Sequence, residues 1–230
     1  MQFHPPLVAG TLVRRYKRFL ADVTMADGAT VTAHCVNPGA MRDIAIPGNQ
    51  VWLSPISNAK AKLKWRWQIE QHDGCLVGVN TMLANDLAEE AMRKGAIEAL
   101  AHASEIRREQ AWGDGSRIDF LLAGEQPCLV EVKNVHWRRG DGAYFPDSVT
   151  KRGAKHLNLL AQAASQGHRA VILFIVQRSD CSYLCPARDI DPGYGQAFDA
   201  ALKSGVEALA YDCQVTADGI AVARQLPVKV

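Results

Sequence analysis

Glu131 and Lys133 stand two residues apart in Cys128-Leu129-Val130-Glu131-Val132-Lys133-Asn134, a run that otherwise has the branched, apolar character of a buried strand. Side chains alternate along a strand, so Glu131 and Lys133 share one face while Val130 and Val132 occupy the other. The preceding apolar segment, 116–122, is joined to this run by Ala123-Gly124-Glu125-Gln126-Pro127, a connection suited to a hairpin. Symmetry about Glu125 sets Asp119 opposite Glu131 and Arg117 opposite Lys133. Two carboxylates about 5 Å apart across a ladder repel each other and call for a cation. Mg²⁺ (or Mn²⁺) suits them, because such an ion takes one or two carboxylates and keeps waters and phosphate oxygens as its other ligands. Lys133 beside it could orient or deprotonate an attacking water and balance charge on a phosphate. Asp119, Glu131 and Lys133 are therefore candidate catalytic residues for phosphodiester hydrolysis, with Asp119 and Glu131 as metal ligands. An exposed edge strand carrying a surface ion pair is the competing reading of the same residues.

A larger sheet must hold those two strands, and the chain supplies one after Asn80. Asn85-Asp86 marks the start of a helix running to about Ala101, with Leu87, Ala91 and Met92 toward the core. Strand-like segments follow at 105–112, 116–122 and 128–135, then a helix from Ser148 to Gln166, capped by Asp147 or Ser148 and stopped by Gly167. The run RAVILFIVQ, 169–177, reads as a strand buried on both faces of a parallel sheet. A helix near 194–203 and a strand at 206–211 complete an αβββαβαβ order. Residues 10–80 differ: short alternating segments broken by Asp27-Gly28, Asn37-Pro38-Gly39, Pro47-Gly48, Ser57-Asn58 and Asp73-Gly74 predict a small β-barrel. The expected division is 1–80 and 81–230.

The charge divides in the same way. Residues 1–80 hold nine Lys/Arg against five Asp/Glu, and the remainder hold 17 against 19. Arg14, Arg15, Lys17 and Arg18 surround Tyr16 and Phe19. Lys60, Lys62, Lys64 and Arg66 fall on one face of an expected strand, with Leu63, Trp65 and Trp67 on the other and the tryptophans toward the core. Such a basic face suits phosphate contacts that are salt-sensitive and weakly selective for sequence, or it guards an edge strand against aggregation. No run approaches the ~20 apolar residues of a membrane helix, and the first residues, MQFHPPLVAG, lack a basic stretch followed by an apolar one. Six scattered cysteines read as reduced thiols of a cytoplasmic protein rather than as a disulfide or zinc framework. No glycine-rich phosphate loop supports a nucleotide phosphohydrolase, and no helix-turn-helix supports base-specific readout.

The segments RRYKRFLADV (14–23), VTAHCVNPGAM (31–41), VGVNT (77–81), GSRIDFLL (115–122), VEVKNV (130–135) and FPDSVTKRGAKHL (145–157) resemble the sugar fermentation stimulation protein family, SfsA, over nearly the whole chain. The resemblance implies an α/β protein, α+β overall: an N-terminal OB-fold-like β-barrel followed by a PD-(D/E)XK nuclease-like αβββαβ domain with a mixed sheet. It also implies DNA binding and a role in regulating sugar (maltose) metabolism, with a Mg²⁺-dependent nuclease acting on DNA or RNA as the alternative. Asp119, Glu131 and Lys133 match the PD-(D/E)XK triad, although Ile118 stands where the motif has proline. By the same resemblance a first-helix glutamate, Glu90 or its neighbour Glu89, completes the metal shell. The start of the second helix could point its amides, Arg152, Lys155 and His156 toward a phosphate, with a capped surface helix as the competing reading. Val36 and Pro38-Gly39-Ala40 depart from the family's usual loop.

Overall fold

Asp73 and Gly74 both adopt left-handed dihedrals, φ 49° and 77°, which a two-residue type I′ hairpin requires. They join β5 (Trp65–His72) to β6 (Cys75–Gly78), with His72 opposite Cys75. Asp27-Gly28 does the same work between β2 (Leu20–Met25) and β3 (Thr30–Cys35): Gly28 has φ 83°, and the Asp27 carboxylate accepts from Ala29 N. With β1 (Val8–Tyr16) and β4 (Gln50–Pro55), the strands pair in the order β3-β2-β1-β4-β5-β6. The N-terminal part of β5 also pairs in parallel with β3, which closes a five-stranded barrel as expected. Alternation fills its interior with Leu12, Val23, Ala33, Val51, Leu53 and Trp67. The computed structural model describes every residue except Ala59, His102, Asp114 and Glu125, so the expected pivot of the 116–135 hairpin lies outside the described residues.

The second half is a sheet ordered β15-β14-β12-β9-β8-β7. Its strands are β7 (Glu105–Trp112), β8 (Ser116–Ala123), β9 (Cys128–Val135), β12 (Arg169–Val176), β14 (Glu207–Val215) and β15 (Ile220–Leu226). β12, apolar in every position after Arg169, lies between β9 and β14 and runs parallel to both. β7, β8 and β15 are antiparallel to their neighbours, which makes the sheet mixed. α1 (Leu83–Arg93) covers one face, and α2 (Lys151–Ser165) and α3 (Pro192–Lys203) cover the other. Three short strands, β10 (Arg138–Arg139), β11 (Gly142–Phe145) and β13 (Tyr183–Pro186), form a small separate sheet that alternation alone does not reveal.

Helix ends differ from the sequence expectation for local reasons. α1 starts two residues before Asn85, because the Asn80 amide oxygen accepts from Met82 N. It stops at Arg93 rather than Ala101: Gly95 takes φ 72°, Gly95 N donates to Met92 O and Ala96 N to Ala91 O, the two bonds of a Schellman ending. α2 is capped by Thr150, whose hydroxyl accepts from Gly153 N, and not by Asp147 or Ser148. Residues 56–58 and 60–64 lie outside the strands, Ile56 N donates to Lys64 O, and β5 begins only at Trp65. Lys60, Lys62 and Lys64 therefore do not make a strand face, while Trp67 is in the core as expected. No helix among the described residues is long and apolar enough to cross a membrane. All six cysteines are free.

The two halves are joined by Arg178, whose side chain is fully buried. Its Nη1 donates to Asp43 Oδ2 at 2.6 Å and to the His136 carbonyl at 2.8 Å, while Nε and Nη2 grip both oxygens of Asp180. Met41 N and Arg42 Nε, from the same loop as Asp43, bond the Asp147 carboxylate and carbonyl. Gly39 completes the seam, where any Cβ would collide with the Asp147 carboxylate. Removing one member of a buried ion pair leaves its partners charged and unpaired. Arg178→Met is thus expected to lower the unfolding free energy by about 3–5 kcal/mol in urea denaturation; a loss below about 1 kcal/mol would show that the network does not hold the halves together.

Candidate functional site

β8 and β9 meet in the register that a loop centred on residue 125 demands, with Phe120 opposite Val130, Leu121 opposite Leu129 and Leu122 opposite Cys128. The next pair would be Asp119 and Glu131, and there the ladder ends. Val132 N donates instead to Asp119 Oδ2 at 2.8 Å, so the carboxylate takes the place of a backbone acceptor. On its other side β8 pairs Phe120 with Arg108 and Ile118 with Gln110, skipping Asp119 again; the residue across, Glu109, has φ 52°. Ile118 and Phe120 would share a face in a flat strand, yet they join cores on opposite sides of the sheet. The strand is kinked at Asp119, as strands are where a ladder is locally disrupted. The Asn85 amide on α1 fixes the second oxygen, donating to Asp119 Oδ1 at 3.0 Å.

Glu131 lies on the face of β9 toward α2, with its side chain 2% exposed. Its Oε1 is bonded by both Lys133 Nζ and His156 Nδ1, while Oε2 is buried and accepts nothing. Arg152 Nε, one turn before His156, donates to the other ring nitrogen at 3.3 Å. Asn85, Asp119, Glu131, Lys133, Arg152 and His156 line a hollow of about 230 Å³. Burial raises the Asp119 pKa, and the neighbouring Glu131 charge raises it further. Burial also pushes Glu131 upward, but the His156 hydrogen bond and the Lys133 ammonium outweigh it and hold that carboxyl below its ordinary value. A buried carboxylate oxygen without a donor, near a second carboxylate, could serve a hard divalent ion as ligand. Among the described residues no three His, Cys, Asp or Glu side chains group to hold a metal.

Other expected site residues are dispersed. Glu90 pairs with the Met1 amino group at 2.6 Å and with Lys94, and Glu89 pairs with Arg93 and Arg108. Neither glutamate lines the hollow. The α1 residue at Asp119 is Asn85, five positions from Glu90 and therefore well round the helix from it. His156 binds Glu131 rather than standing free for a phosphate, and Lys155 is exposed. In the barrel, Arg14 pairs with Asp22 at 2.8 Å, and Arg15 clamps the carbonyls of Arg18, Asn37 and Gly39. Lys17 and Arg18 are exposed in the β1–β2 turn, Lys60, Lys62 and Lys64 are exposed ahead of β5, and Arg66 is half-buried on β5. Asn85 and Thr150 carried no signal in the sequence beyond their capping potential. A larger hollow of about 600 Å³ at the far ends of β8 and β9 is lined by Cys128 and Arg169. Burial pushes the Cys128 thiol up to about 12, and Arg169 is held by Glu207, so nothing there is poised to react.

Residues 13–79 match the family model described as the SfsA N-terminal OB domain, and residues 82–219 match the sugar fermentation stimulation protein RE domain. The chain belongs to the SfsA family. A sugar fermentation stimulation protein homolog of Maricaulis maris is 52% identical over 233 residues, covering 100% of this chain and 99% of the relative. One from Paramagnetospirillum magneticum is 52% identical over 222 residues, covering 96% and 94%. The solved structure of Pyrococcus furiosus SfsA in complex with Ca²⁺ superimposes with a TM-score of 0.90 at 27% identity, over 100% of this chain and 98% of that one. The OB barrel followed by a mixed-sheet α/β domain is therefore the SfsA architecture.

Because burial and the Glu131 charge raise the folded pKa of Asp119, its ionisation costs stability as pH rises through that value. Asp119→Asn keeps an acceptor for Val132 N, and a flipped Asn85 amide satisfies the new donor. This substitution is expected to stabilise the fold at pH 7 by on the order of 1 kcal/mol. The gain should vanish as pH falls toward 3.8, the ordinary aspartate value, in thermal scans across pH; a gain independent of pH would contradict the electrostatic origin.

Proposed function

We propose that this SfsA protein binds DNA largely without regard to sequence and hydrolyses its phosphodiester bonds at Asp119, Glu131 and Lys133 with the aid of Mg²⁺ or Mn²⁺. The observation that carries the reading is the buried, donorless Oε2 of Glu131 beside Asp119 and Lys133. When bound, a divalent ion would polarise the phosphoryl oxygen and acidify a coordinated water. Asp119 and Glu131 would hold it, and the Val132 and Asn85 bonds keep Asp119 from turning away. Lys133 would balance charge on the phosphate and orient the water, with His156 keeping Glu131 in place. The N-terminus of α2, at the same hollow, adds a positive dipole end, and Arg152 a full charge. The exposed Lys17, Arg18, Lys60 and Lys62 would supply contacts to backbone phosphates.

A second reading, DNA binding without cleavage in the service of sugar-metabolism regulation, is favoured by one observation. Lys133 and His156 already bond Glu131, so the fold needs no ion to tolerate that carboxylate. Cleavage of labelled single- and double-stranded DNA and RNA with Mg²⁺ or Mn²⁺ separates the two. Turnover should fall at least about 100-fold in Glu131→Gln and in Lys133→Ala; equal rates in wild type and both variants would remove the site from the chemistry. In either reading, raising NaCl from about 50 to about 200 mM should weaken DNA binding at least tenfold, and salt-independent affinity would remove the basic residues from the account.

A further inference from the structure

We infer that the cleft between barrel and sheet domain is a base pocket for one unpaired nucleotide next to the Asp119–Glu131 hollow; this rests on the reading of that hollow as a nucleic-acid site. The cleft measures about 370 Å³. Arg18 and 37–39 form its barrel wall, and Asn134, His136 and 145–150 form the other. Thr150, the cap of α2, lines both the cleft and the carboxylate hollow, so the two are neighbours along one path. The size falls at the low end of small-molecule sites, about 300–1,000 Å³. A single nucleotide fits such a space, and a duplex does not.

The polar groups of the cleft specify a base rather than a phosphate. Asn134 is locked in one orientation, because its Oδ1 accepts from Gln177 Nε2, and its buried Nδ2 is left with no acceptor. His136, only 5% exposed in its side chain, makes no hydrogen bond from either ring nitrogen; its Nε2 lies 3.5 Å from Asp147 Oδ2. Burial acts to raise Asp147, yet His136, Met41 N and Ser148 hold it down at about 2, so a carboxylate charge sits in the wall. A donor without an acceptor and a carboxylate in the same cleft wall match a base edge that carries a ring nitrogen or carbonyl next to an exocyclic amine, as cytosine and adenine do. Phe145 and Pro146 supply apolar surface for the ring. Val149, 68% exposed at the rim, is an apolar side chain that packing in the fold does not account for. Arg18 stands exposed at the barrel edge, where the sugar-phosphate strand would enter.

The test is anisotropy of labelled oligonucleotides of about 12 residues with the full chain in EDTA, comparing oligo-dC, oligo-dA, oligo-dT and a mixed duplex. Single strands of dC and dA should bind about tenfold tighter than duplex, with dT weaker than either. Asn134→Asp keeps the acceptor for Gln177 and replaces the orphan donor, and Val149→Asp changes only the exposed rim. Each should abolish the single-strand preference while leaving duplex affinity within about twofold; Val149→Asp carries the test if Asn134→Asp fails to fold. Duplex binding without single-strand preference in wild type, or a preference kept in both folded variants, overturns the base pocket alone. Binding of neither form overturns the nucleic-acid reading, and the pocket with it.

Discussion

Arg178 sits on the strand end that follows β12 and has no contact with solvent, so its charge must be answered within the fold. Asp43 answers it from the barrel, and Asp180 and the His136 carbonyl answer it from the sheet domain. Burial acts against the guanidinium charge, yet Asp180 and Asp43 outweigh it and raise the pKa, so the charge is permanent. This one buried cation fixes where the barrel sits against the carboxyl ends of β9 and β12. Asp43 in turn accepts from Arg138 N, and its loop seats Met41 and Arg42 on Asp147. The walls of the cleft are thus set by buried charge pairing and hydrogen bonds across the seam.

The carboxylate hollow depends on the opposite device, an interruption. A continuous ladder through Asp119 would have satisfied the backbone and left two carboxylates facing each other with nothing between them. Breaking it on both sides of β8 lets Asp119 bond Val132 N and Asn85, while Glu131 turns to Lys133 and His156. The two acids acquire opposite pKa shifts from unlike surroundings. Sites that manage charge in this way pay in local stability and gain chemical readiness.

What was legible in the sequence was local or periodic. Asp73-Gly74 dictates its hairpin, the apolar run 169–176 dictates a central parallel strand, and the length of the 123–127 loop sets the register that brings Asp119 near Glu131. Glu90 lies away from the hollow because of helical phase: five positions separate it from Asn85, the α1 residue that bonds Asp119. The Lys60–Arg66 alternation is compatible with a strand, but Ser57-Asn58 and a closing bond from Ile56 to Lys64 keep residues 60–64 out of β5, which begins at Trp65. The seam was beyond reach because its partners, Asp43 with Arg178 and Arg42 with Asp147, are separated by 135 and 105 residues. The strands of the small sheet, two to four residues each, are too short to show a period.

The left-handed Glu109 acts on more than its neighbour across the ladder. β7 is the last strand of its sheet, and a straight last strand presents unpaired amides and carbonyls to any other chain in solution. Glu109 bends that border at mid-length, and Glu105, Arg107 and Arg108 crowd it with charge. A second molecule seeking to extend the sheet finds no regular template there. The distortion that presents Asp119 therefore also protects the protein from edge-to-edge aggregation, so a substitution that straightened β7 would put solubility at risk together with the site.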